Sequence, residues 1–370
     1  MKKILMLFIF MLSVNFNSQI INLTKYGSAK NSETFKKALT DIKNTYSNKK
    51  QHVVLFIPSG NYTITEPITL NKYISLEGEF ANSTILNVNS TTQEAIILED
   101  NKNEADIYNA YNTIKNLTIT GPDFNKNPFE WKDLKRNNPK SVGIKVLGLR
   151  NRIDNVTIDG FLWSGIEISS SYYNYITNSF IKNNRIGITI DKTSTSAYIN
   201  NNELRTNSLG ILIQNNSYAN FINNNMIESN ISHMLEPAKN DEDVNPYTLG
   251  TGIMINNAMN NFIQNNYFEQ HFNNVSLNNS YGNEISSNFF AVNQLNKEDQ
   301  AILKLTGKSE NNVFFQNQTM GANPNLDVTK TVLSKMIDYS TNTIDFGKAK
   351  NIQLKGKLKN SNQKLLPQIP

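Results

Sequence analysis

A repeat constrains this chain more than any other feature of its sequence. The pattern Gly-Ile-x-Ile, a few polar residues and then Ile-x-Asn recurs with a nearly constant spacing. A period of this kind is typical of a solenoid, in which each unit buries its apolar side only against its neighbours. The last interval is longer and equals one repeat plus an insertion. Equivalent residues should therefore lie in columns. The repeat glycines are Gly143, Gly165, Gly187, Gly210 and Gly252.

The repeat unit predicts an all-β fold, a single-stranded right-handed parallel β-helix. It holds short alternating stretches and leaves no room for a helix between them, and parallel crossovers prefer the right hand. Alternation places Ile166 and Ile168, with their equivalents, inside. An Asn follows two positions after the isoleucine that opens each of several strands, as Asn178 follows Ile176. We expect this Asn to adopt a left-handed turn and to bond through its amide to the same Asn in the next coil.

The N-terminus resembles a secretory signal peptide. Lys2 and Lys3 precede an apolar run at residues 4–14, which is too short to span a bilayer. We place cleavage near Ser18, with an uncleaved anchor as the alternative. No later segment is apolar for long enough to cross a membrane. The sequence thus predicts a secreted or periplasmic protein that does not insert into a membrane after signal removal.

Composition narrows the function classes. The chain has no cysteine, which excludes disulfides, thiolate metal ligands and a lipidated N-terminal Cys. Its formal net charge is +5, and removal of two lysines with the signal leaves +3. No concentrated basic run with interleaved aromatics is present, so nucleic acid is not an expected partner.

We divide the chain into a signal peptide at 1–18, a β-helix domain at 19–325 and a C-terminal cap and tail at 326–370. Helical spacing of apolar residues over 31–48 predicts a helix, capped by Asn31 or Ser32, that covers the open end of the solenoid.

Two insertions break the period just before a Gly-Ile-x strand. One covers residues 121–142 and contains Trp131, and the other covers 232–251 and contains His233. Both leave the coil at the same corner, on either side of three uninterrupted coils. We expect them to form two walls of a groove, because loops on a rigid scaffold commonly carry function. The alternative is that they are tolerated surface insertions.

Three N-terminal segments resemble the signature of the pectate-lyase-like superfamily. They are Leu23-Thr24-Lys25-Tyr26-Gly27, Phe56-Ile57-Pro58-Ser59-Gly60-Asn61-Tyr62 and Ile74-Ser75-Leu76-Glu77-Gly78, together with the predicted helix. The resemblance covers residues 23–320. It implies a right-handed parallel β-helix and activity on polysaccharides, since the superfamily includes lyases, polygalacturonase-like hydrolases, epimerases and phage tailspike depolymerases.

The chain departs from its relatives at several motifs. Residues 31–34 read Asn-Ser-Glu-Thr, where many relatives have an acidic Asp-Asp-Thr run. The Asn-Thr-Asp-Gly, Asp-Asp, Gly-His-Gly and Arg-Ile-Lys motifs of polygalacturonases do not occur. The clustered Asp ligands of a calcium-dependent pectate lyase do not assemble either. We therefore predict no cofactor and no metal, and calcium stays an alternative without a ligand cluster to support it.

Stacking in register predicts two columns of outward side chains on the Gly-Ile-x-Ile-x strands. Trp163 and Arg185 take matching positions in successive repeats, just before two of these strands. The first column is Lys145, Glu167, Thr189, Leu212, Met254 and Ser276, and the second is Leu147, Ser169, Asp191, Gln214, Asn256 and Asn278.

These columns predict a catalytic face. Glu167 and Asp191 lie two positions apart on adjacent coils, a diagonal of about 8 Å, within the roughly 6.5–9.5 Å expected for an inverting glycosidase. Trp163 could stack on a sugar, and Arg185 or Lys145 could hold a uronate carboxylate. Gln214, His233 and Trp131 are further candidates for substrate binding.

A lyase would use the same face differently. Arg or Lys would neutralise the uronate, and Lys145, Arg185 or His233 would remove the proton at C5. The structural alternative is that Lys145 and Glu167 form a surface ion pair.

A second charged column has one member in each of four successive repeats, at Asp159, Lys182, Arg205 and Glu228. Opposite charges on neighbouring coils predict a solvated ladder. Arg205 is the member nearest the groove and a candidate for substrate binding.

The sequence as a whole predicts a protein that binds and cleaves a polysaccharide, by hydrolysis or elimination. A non-catalytic glycan-binding or surface protein on the same scaffold is the alternative.

Overall fold

The chain winds into a parallel β-helix, as the repeat predicts. The computed structural model describes residues 19–105, 107–123, 140–230, 250–291 and 301–319, with three short strands further on. Every strand pairing within these parts is parallel, and each strand pairs with its counterpart in the next coil.

The helical elements are α1 (Ser32–Thr45) and two 3-10 turns (Leu23–Tyr26 and Ser47–Lys49). The strands of the first half are β1 (Gln19–Asn22), β2 (Val53–Ile57), β3 (Gly60–Ile64), β4 (Ile68–Leu70), β5 (Ile74–Gly78), β6 (Thr84–Val88), β7 (Glu94–Leu98), β8 (Thr113–Thr120), β9 (Val142–Val146), β10 (Arg152–Asp159), β11 (Ser164–Ser169), β12 (Tyr175–Thr177), β13 (Phe180–Lys182), β14 (Ile186–Asp191), β15 (Tyr198–Asn200) and β16 (Glu203–Arg205). The remaining strands are β17 (Leu209–Gln214), β18 (Phe221–Asn223), β19 (Met226–Glu228), β20 (Thr251–Asn256), β21 (Phe262–Gln264), β22 (Tyr267–Glu269), β23 (Asn273–Asn278), β24 (Glu284–Ser286), β25 (Phe289–Phe290), β26 (Ala301–Thr306), β27 (Val313–Phe315), β28 (Gln318–Thr319), β29 (Val332–Leu333), β30 (Thr343–Ile344) and β31 (Gln353–Leu354).

A coil of the regular region contains three strands. One belongs to a nine-stranded sheet that runs from β4 to β26 through β11, β14 and β17. The other two belong to a larger sheet with two arms, one through β12, β15 and β18 and the other through β13, β16 and β19. The long strands β8 and β10 run through both arms, because they pair along their whole length. The arms therefore form one bent sheet opposite the nine-stranded sheet.

One apolar core fills the interior between the two sheets. Ile166, Ile168, Ile188 and Ile190 are fully buried in it, so the alternation that predicted inward isoleucines is confirmed. At the N-terminal end, helix α1 contributes Phe35, Ala38, Leu39 and Ile42 to the same core. The Asn31 side chain accepts a hydrogen bond from the Thr34 amide and caps the helix, which ends at Thr45, slightly earlier than predicted. This packing agrees with the predicted role as an end cover.

Two neighbouring residues of each turn carry the left-handed conformation and the amide ladder, which the repeat predicts for a single asparagine. The residue two positions after the strand-opening isoleucine is left-handed, as predicted, with φ of 50° at Asn178 and 56° at Asn201. Their side chains are exposed, and the amide ladder is carried by the next residue, which points inward between coils. Asn202 Nδ2 donates to Asn225 Oδ1 at 3.0 Å, and Asn225 to Asn266 in the same way. The prediction of a ladder on the left-handed residue itself was wrong for most coils, because that residue faces solvent.

The repeat glycines allow the coils to approach closely. A Cβ on Gly187 would lie 2.5 Å from the backbone oxygen of Gly210, and one on Gly210 would lie 2.4 Å from that of Gly252. No real Cβ tolerates such a distance, so the glycine column follows from contact between coils.

A column of aromatic rings covers the first arm of the larger sheet. Tyr175, Tyr198, Phe221 and Phe262 stack with centroids 5.0–5.1 Å apart and planes inclined by 7°. The rings take equivalent positions in four successive coils. They therefore add offset-stacking contacts along the axis.

The larger sheet continues beyond the last regular coil. Strand β30 pairs in parallel with β27 through Thr343 and Ile344, inside the segment that the sequence assigns to a C-terminal cap and tail. The division at residue 325 stays a prediction.

Candidate functional site

The outward-pointing side chains of the nine-stranded sheet, here called the outer face, form the two predicted columns. Glu167 pairs with Lys145 on one side and with Thr189 on the other, and Ser169 pairs with Asp191. Further along, the pairs are Thr189 with Leu212, Leu212 with Met254, Met254 with Ser276, Gln214 with Asn256 and Asn256 with Asn278. The register thus places Glu167 and Asp191 on adjacent strands, two positions apart.

Lys145 lies between two carboxylates. Its Nζ is 3.5 Å from Glu167 Oε1 and 3.3 Å from Glu94 Oε1. The side chains are only 5–20% exposed. Removal of an ammonium ion from between two little-exposed carboxylates costs more than the loss of a surface pair, because the carboxylates are left without a counter-charge. The predicted surface ion pair is therefore a partly buried cluster of three charges.

Glu94 is the member of this cluster that sequence reasoning missed. It begins β7, ahead of the first repeat glycine, and its backbone partner is Val142 rather than Lys145. The contact to Lys145 is diagonal, so a column drawn from the repeat does not include it. The usable signal is a carboxylate at the start of an otherwise apolar strand, Glu94-Ala95-Ile96-Ile97-Leu98.

Trp163 and Arg185 meet, as their matching positions predict. The Arg185 guanidinium carbon lies 5.3 Å from the centre of the Trp163 ring, within range of a cation–π contact. Both are almost completely buried, with Trp163 at 2% and Arg185 at 0% exposure. Trp163 belongs to a second apolar cluster, outside the main core, which contains Val142, Trp163, Ile186, Leu209, Leu212 and Met254.

The burial of these side chains does not fit the predicted open groove. Thr189, Leu212, Met254 and Ser276 on the outer face are also fully buried, so this part of the face does not line a cleft open to solvent. Leu212 and Met254 pack in the same apolar cluster as Trp163. Solvent reaches the polar end instead, at Glu94, Lys145 and the partly exposed Asp191.

Asp191 and Gln214 end the neighbouring strands β14 and β17. Asp191 Oδ1 accepts hydrogen bonds of 2.7 Å from the Asn215 amide group and from the Lys192 backbone. Gln214 is almost completely buried. The two carboxylates therefore have different surroundings: Glu167 is held by an ammonium ion and Asp191 by neutral donors.

Arg205 lies on the larger sheet and is not brought together with Glu167. It forms ion pairs with Glu228 at 3.2 Å and Glu203 at 3.5 Å, and Lys182 pairs with Asp159 at 3.5 Å. The chain bends between β16 and β17, and this bend separates the two faces. The second charged column is thus a solvated ladder in this structure.

The predicted residues Trp131 and His233 lie outside the described residues, as do residues 1–18 and most of both insertions. Among the described segments, no group of three or more His, Asp or Glu side chains could hold a metal ion.

His271 is buried in the turn before β23. Its Nε2 lies 3.1 Å from Asn230 Nδ2, and its Nδ1 lies 3.0 Å from Asn274 Oδ1. Burial lowers the pKa of His271 to about 4, against a smaller opposing effect of the bond to Asn274. His271 is thus a neutral structural residue of a turn.

A family model described as rhamnogalacturonase A/epimerase, pectate lyase-like, matches residues 20–235. The chain belongs to this family. A second model, described as periplasmic copper-binding protein (NosD), matches residues 150–323. In the part of this family member that the structure describes, no helix has the length and apolarity needed to cross a membrane.

Solved structures share the fold of this family member at low sequence identity. DFA-IIIase from Arthrobacter chlorophenolicus A6 is similar with a TM-score of 0.66 and 12% identity, over 95% of this chain and 88% of that one. The A-module of mannuronan C-5 epimerase AlgE6 from Azotobacter vinelandii gives 0.50 and 13%, over 92% and 100%. The enzymatically active domain of bacteriophage CBA120 tailspike protein 2 gives 0.61 and 14%, over 94% and 54%. No curated protein matches the sequence.

Proposed function

We propose that this protein binds and cleaves an acidic polysaccharide at the polar end of the outer face. The observation that carries the proposal is the placement of Glu167 and Asp191. They lie on adjacent strands in different surroundings, Glu167 against the cation Lys145 and Asp191 against neutral donors. Membership of a family described by rhamnogalacturonase and epimerase activities supports a carbohydrate substrate.

Hydrolysis with inversion fits this arrangement best. Two positions along the strand and one strand across separate the Cα atoms of Glu167 and Asp191 by about 8 Å. Carboxyl groups held at a similar separation would leave room for a water molecule and a sugar ring. One carboxyl group would protonate the glycosidic oxygen, and the other would activate the water on the opposite side of the ring. Lys145 would attract a uronate carboxylate as a point charge.

Substitutions of the two carboxylates test this reaction. The substrates are polygalacturonate, rhamnogalacturonan and alginate, and reducing ends are measured. Glu167→Gln and Asp191→Asn should each lower turnover about 100-fold or more, the range for a general acid or base. Asp159→Asn removes a carboxylate from the ladder on the other sheet and serves as the control. Equal turnover by all three variants would contradict the proposal.

Product mass separates hydrolysis from elimination. Hydrolysis adds one water to the products, whereas elimination adds none and leaves an unsaturated uronide that absorbs in the near ultraviolet. Products without added water would contradict an inverting hydrolase and would indicate a lyase that uses the same face.

A non-catalytic glycan-binding protein is the second candidate. The burial of Trp163, Arg185, Leu212 and Met254 favours it, because these side chains stabilise the fold where a groove was expected. Binding of a polysaccharide without turnover of any member of the panel would support this candidate.

We further propose that the protein is exported and that residues 1–18 are removed. The mass of the protein recovered from the periplasm or the medium tests this. A protein that retains residue 1 in the cytoplasm would contradict it.

A further inference from the structure

A row of exposed tyrosines follows one corner of the β-helix, at the turn from the nine-stranded sheet to the larger sheet. Isolated parallel bridges link equivalent positions of this turn in successive coils. The positions are Tyr172, Thr195, Tyr218, Met259, Tyr281 and Glu310. Tyrosine thus recurs in every second coil, an interval of two strand spacings or about 9–10 Å.

The rings of this row are accessible to solvent. Tyr218 and Tyr281 are 39% and 48% exposed, and Tyr173, next to Tyr172, is 42% exposed. Tyr108, 64% exposed, extends the row toward the N-terminus, because the Arg150 guanidinium lies 4.3 Å from its ring centre and 5.1 Å from that of Tyr173. We call Tyr108, Tyr173, Tyr218 and Tyr281 the tyrosine ridge.

Asparagine amides surround the ridge. Asn215, Asn216, Asn257 and Asn279 are exposed in the same turns. Flat amphipathic rings alternating with amide donors and acceptors suit a ligand that has apolar ring faces and many hydroxyl groups. Such a surface differs from a protein interface, whose fully buried centre is mainly apolar.

The charges beside the ridge favour an anionic ligand. Arg150, Lys192 and Lys308 lie in its turns, and among the described residues none of them forms an ion pair. On the acidic side, Asp100 is paired with Lys102, whose Nζ also donates to the Ser170 oxygen. The carboxylates of Asp191 and Glu310 remain in the same turns, so the three cations outnumber them.

We infer that the tyrosine ridge is a second binding surface, for an extended uronate-containing polysaccharide that lies along the axis of the helix. Tyr218 and Tyr281, which lie two coils apart, would contact every second sugar of an extended chain, and the asparagine amides would bind hydroxyl groups between them. This surface adjoins the outer face at Asp191, whose carboxylate accepts the Asn215 amide, and its binding does not depend on cleavage.

Electrophoresis in native gels that contain polygalacturonate or alginate tests the inference. The wild-type protein should be retarded, and the double substitution Tyr218→Ala with Tyr281→Ala should weaken the apparent affinity about tenfold, as expected for the loss of two anchoring aromatics. Phe80→Ala is the matched control, because Phe80 is 62% exposed and lies outside the ridge. Thermal unfolding of each variant should coincide with that of the wild type.

Three results would overturn the inference. They are the absence of retardation in both gels, an equal loss of affinity in Phe80→Ala, or a change in molecular mass of the double variant in light scattering, which would indicate that the ridge joins two copies of the chain. Retardation in a neutral hydroxyethyl cellulose gel as strong as in the uronate gels would overturn the anionic preference. A protein that is retarded but cleaves nothing would support the ridge while contradicting the proposed reaction.

Discussion

At the scale of single residues, His271 occupies a place that asparagine holds in the preceding coils. Amide hydrogen bonds join Asn184 to Asn207 and Asn207 to Asn230 in successive coils. Asn230 Nδ2 in turn donates to His271 Nε2. His271 Nδ1–H donates in turn to Asn274 Oδ1. The ladder therefore fixes the neutral tautomer, because a proton on Nε2 would face the amide donor of Asn230.

This arrangement predicts a loss of stability in acid. The pKa of His271 falls from 6.5 to about 4 on folding, so below pH 6.5 the unfolded chain binds a proton that the native chain does not. The contribution is present at neutral pH and decreases as pH falls toward 4. His271→Asn should remove this dependence, and its stability relative to the wild type should rise by up to about 3 kcal/mol between pH 7.5 and pH 4. Urea unfolding at both pH values measures the difference, and parallel pH profiles of the two proteins would contradict it.

Lys145 gives a second prediction at this scale. Lys145→Met leaves Glu94 and Glu167 facing one another without their cation, in a place where each is little exposed. We expect a loss of about 1–3 kcal/mol in the free energy of unfolding, less than for a fully buried pair because some solvent reaches the site. Lys182→Met removes a more exposed cation paired with Asp159 and should cost about 0–1 kcal/mol. Equal losses measured by urea unfolding would show that the cluster is no stronger than the ladder.

At the scale of strands and turns, the glycine column sets how closely neighbouring coils approach. Gly187→Ala would bring a Cβ to within 2.5 Å of the Gly210 oxygen and 3.2 Å of Leu204 and Asn207. The coils would have to separate locally, at a cost of about 1–3 kcal/mol. Thr91→Ala, at an exposed position outside the regular coils, is the control and should stay within about 0.5 kcal/mol. Urea unfolding of both variants measures the two costs, and a Gly187→Ala variant as stable as the control would contradict the steric argument.

The same elements show how far the sequence predicts this fold. A constant repeat length is enough to place Lys145, Glu167 and Thr189 in one column, because parallel stacking converts sequence intervals into neighbours. It does not reveal Glu94, which precedes the regular coils and meets Lys145 diagonally.

Burial was the other property that the repeat did not reveal. Alternation along a strand distinguishes its two faces but does not say whether the outward face is covered. Trp163 and Arg185 accordingly meet where predicted, and yet are buried. The one-residue offset of the asparagine ladder has a similar origin, since Asn201 and Asn202 are identical in sequence and differ only in backbone conformation.

At the scale of the whole molecule, each coil contacts mainly the coil before and the coil after it. Deletion of residues 186–208 would remove one complete coil, and Leu209 would take the place of Ile186, its partner in register. Lys182 would then lie beside Glu228, and Asn184 beside Asn230. We expect this variant to fold, with a parallel β-sheet spectrum in far-ultraviolet circular dichroism and a cooperative thermal transition.

Deletion of residues 186–197 is the matched test of that reasoning. It removes only part of a coil and would join the turn before the nine-stranded sheet directly to Tyr198, which belongs to the larger sheet. This variant should not form a stable β-helix. If both deletions fold equally well, stability does not depend on complete coils.

The stacked column of Tyr175, Tyr198, Phe221 and Phe262 has an optical consequence. These rings come from segments far apart in the sequence, yet they lie nearly parallel, with neighbouring centroids 5.0–5.1 Å apart. Their electronic transitions must couple, and this coupling contributes a chiral signal in the near ultraviolet that exists only while successive turns remain aligned. Near-ultraviolet circular dichroism of these rings therefore reports whether the coils remain aligned along the axis, without an attached dye.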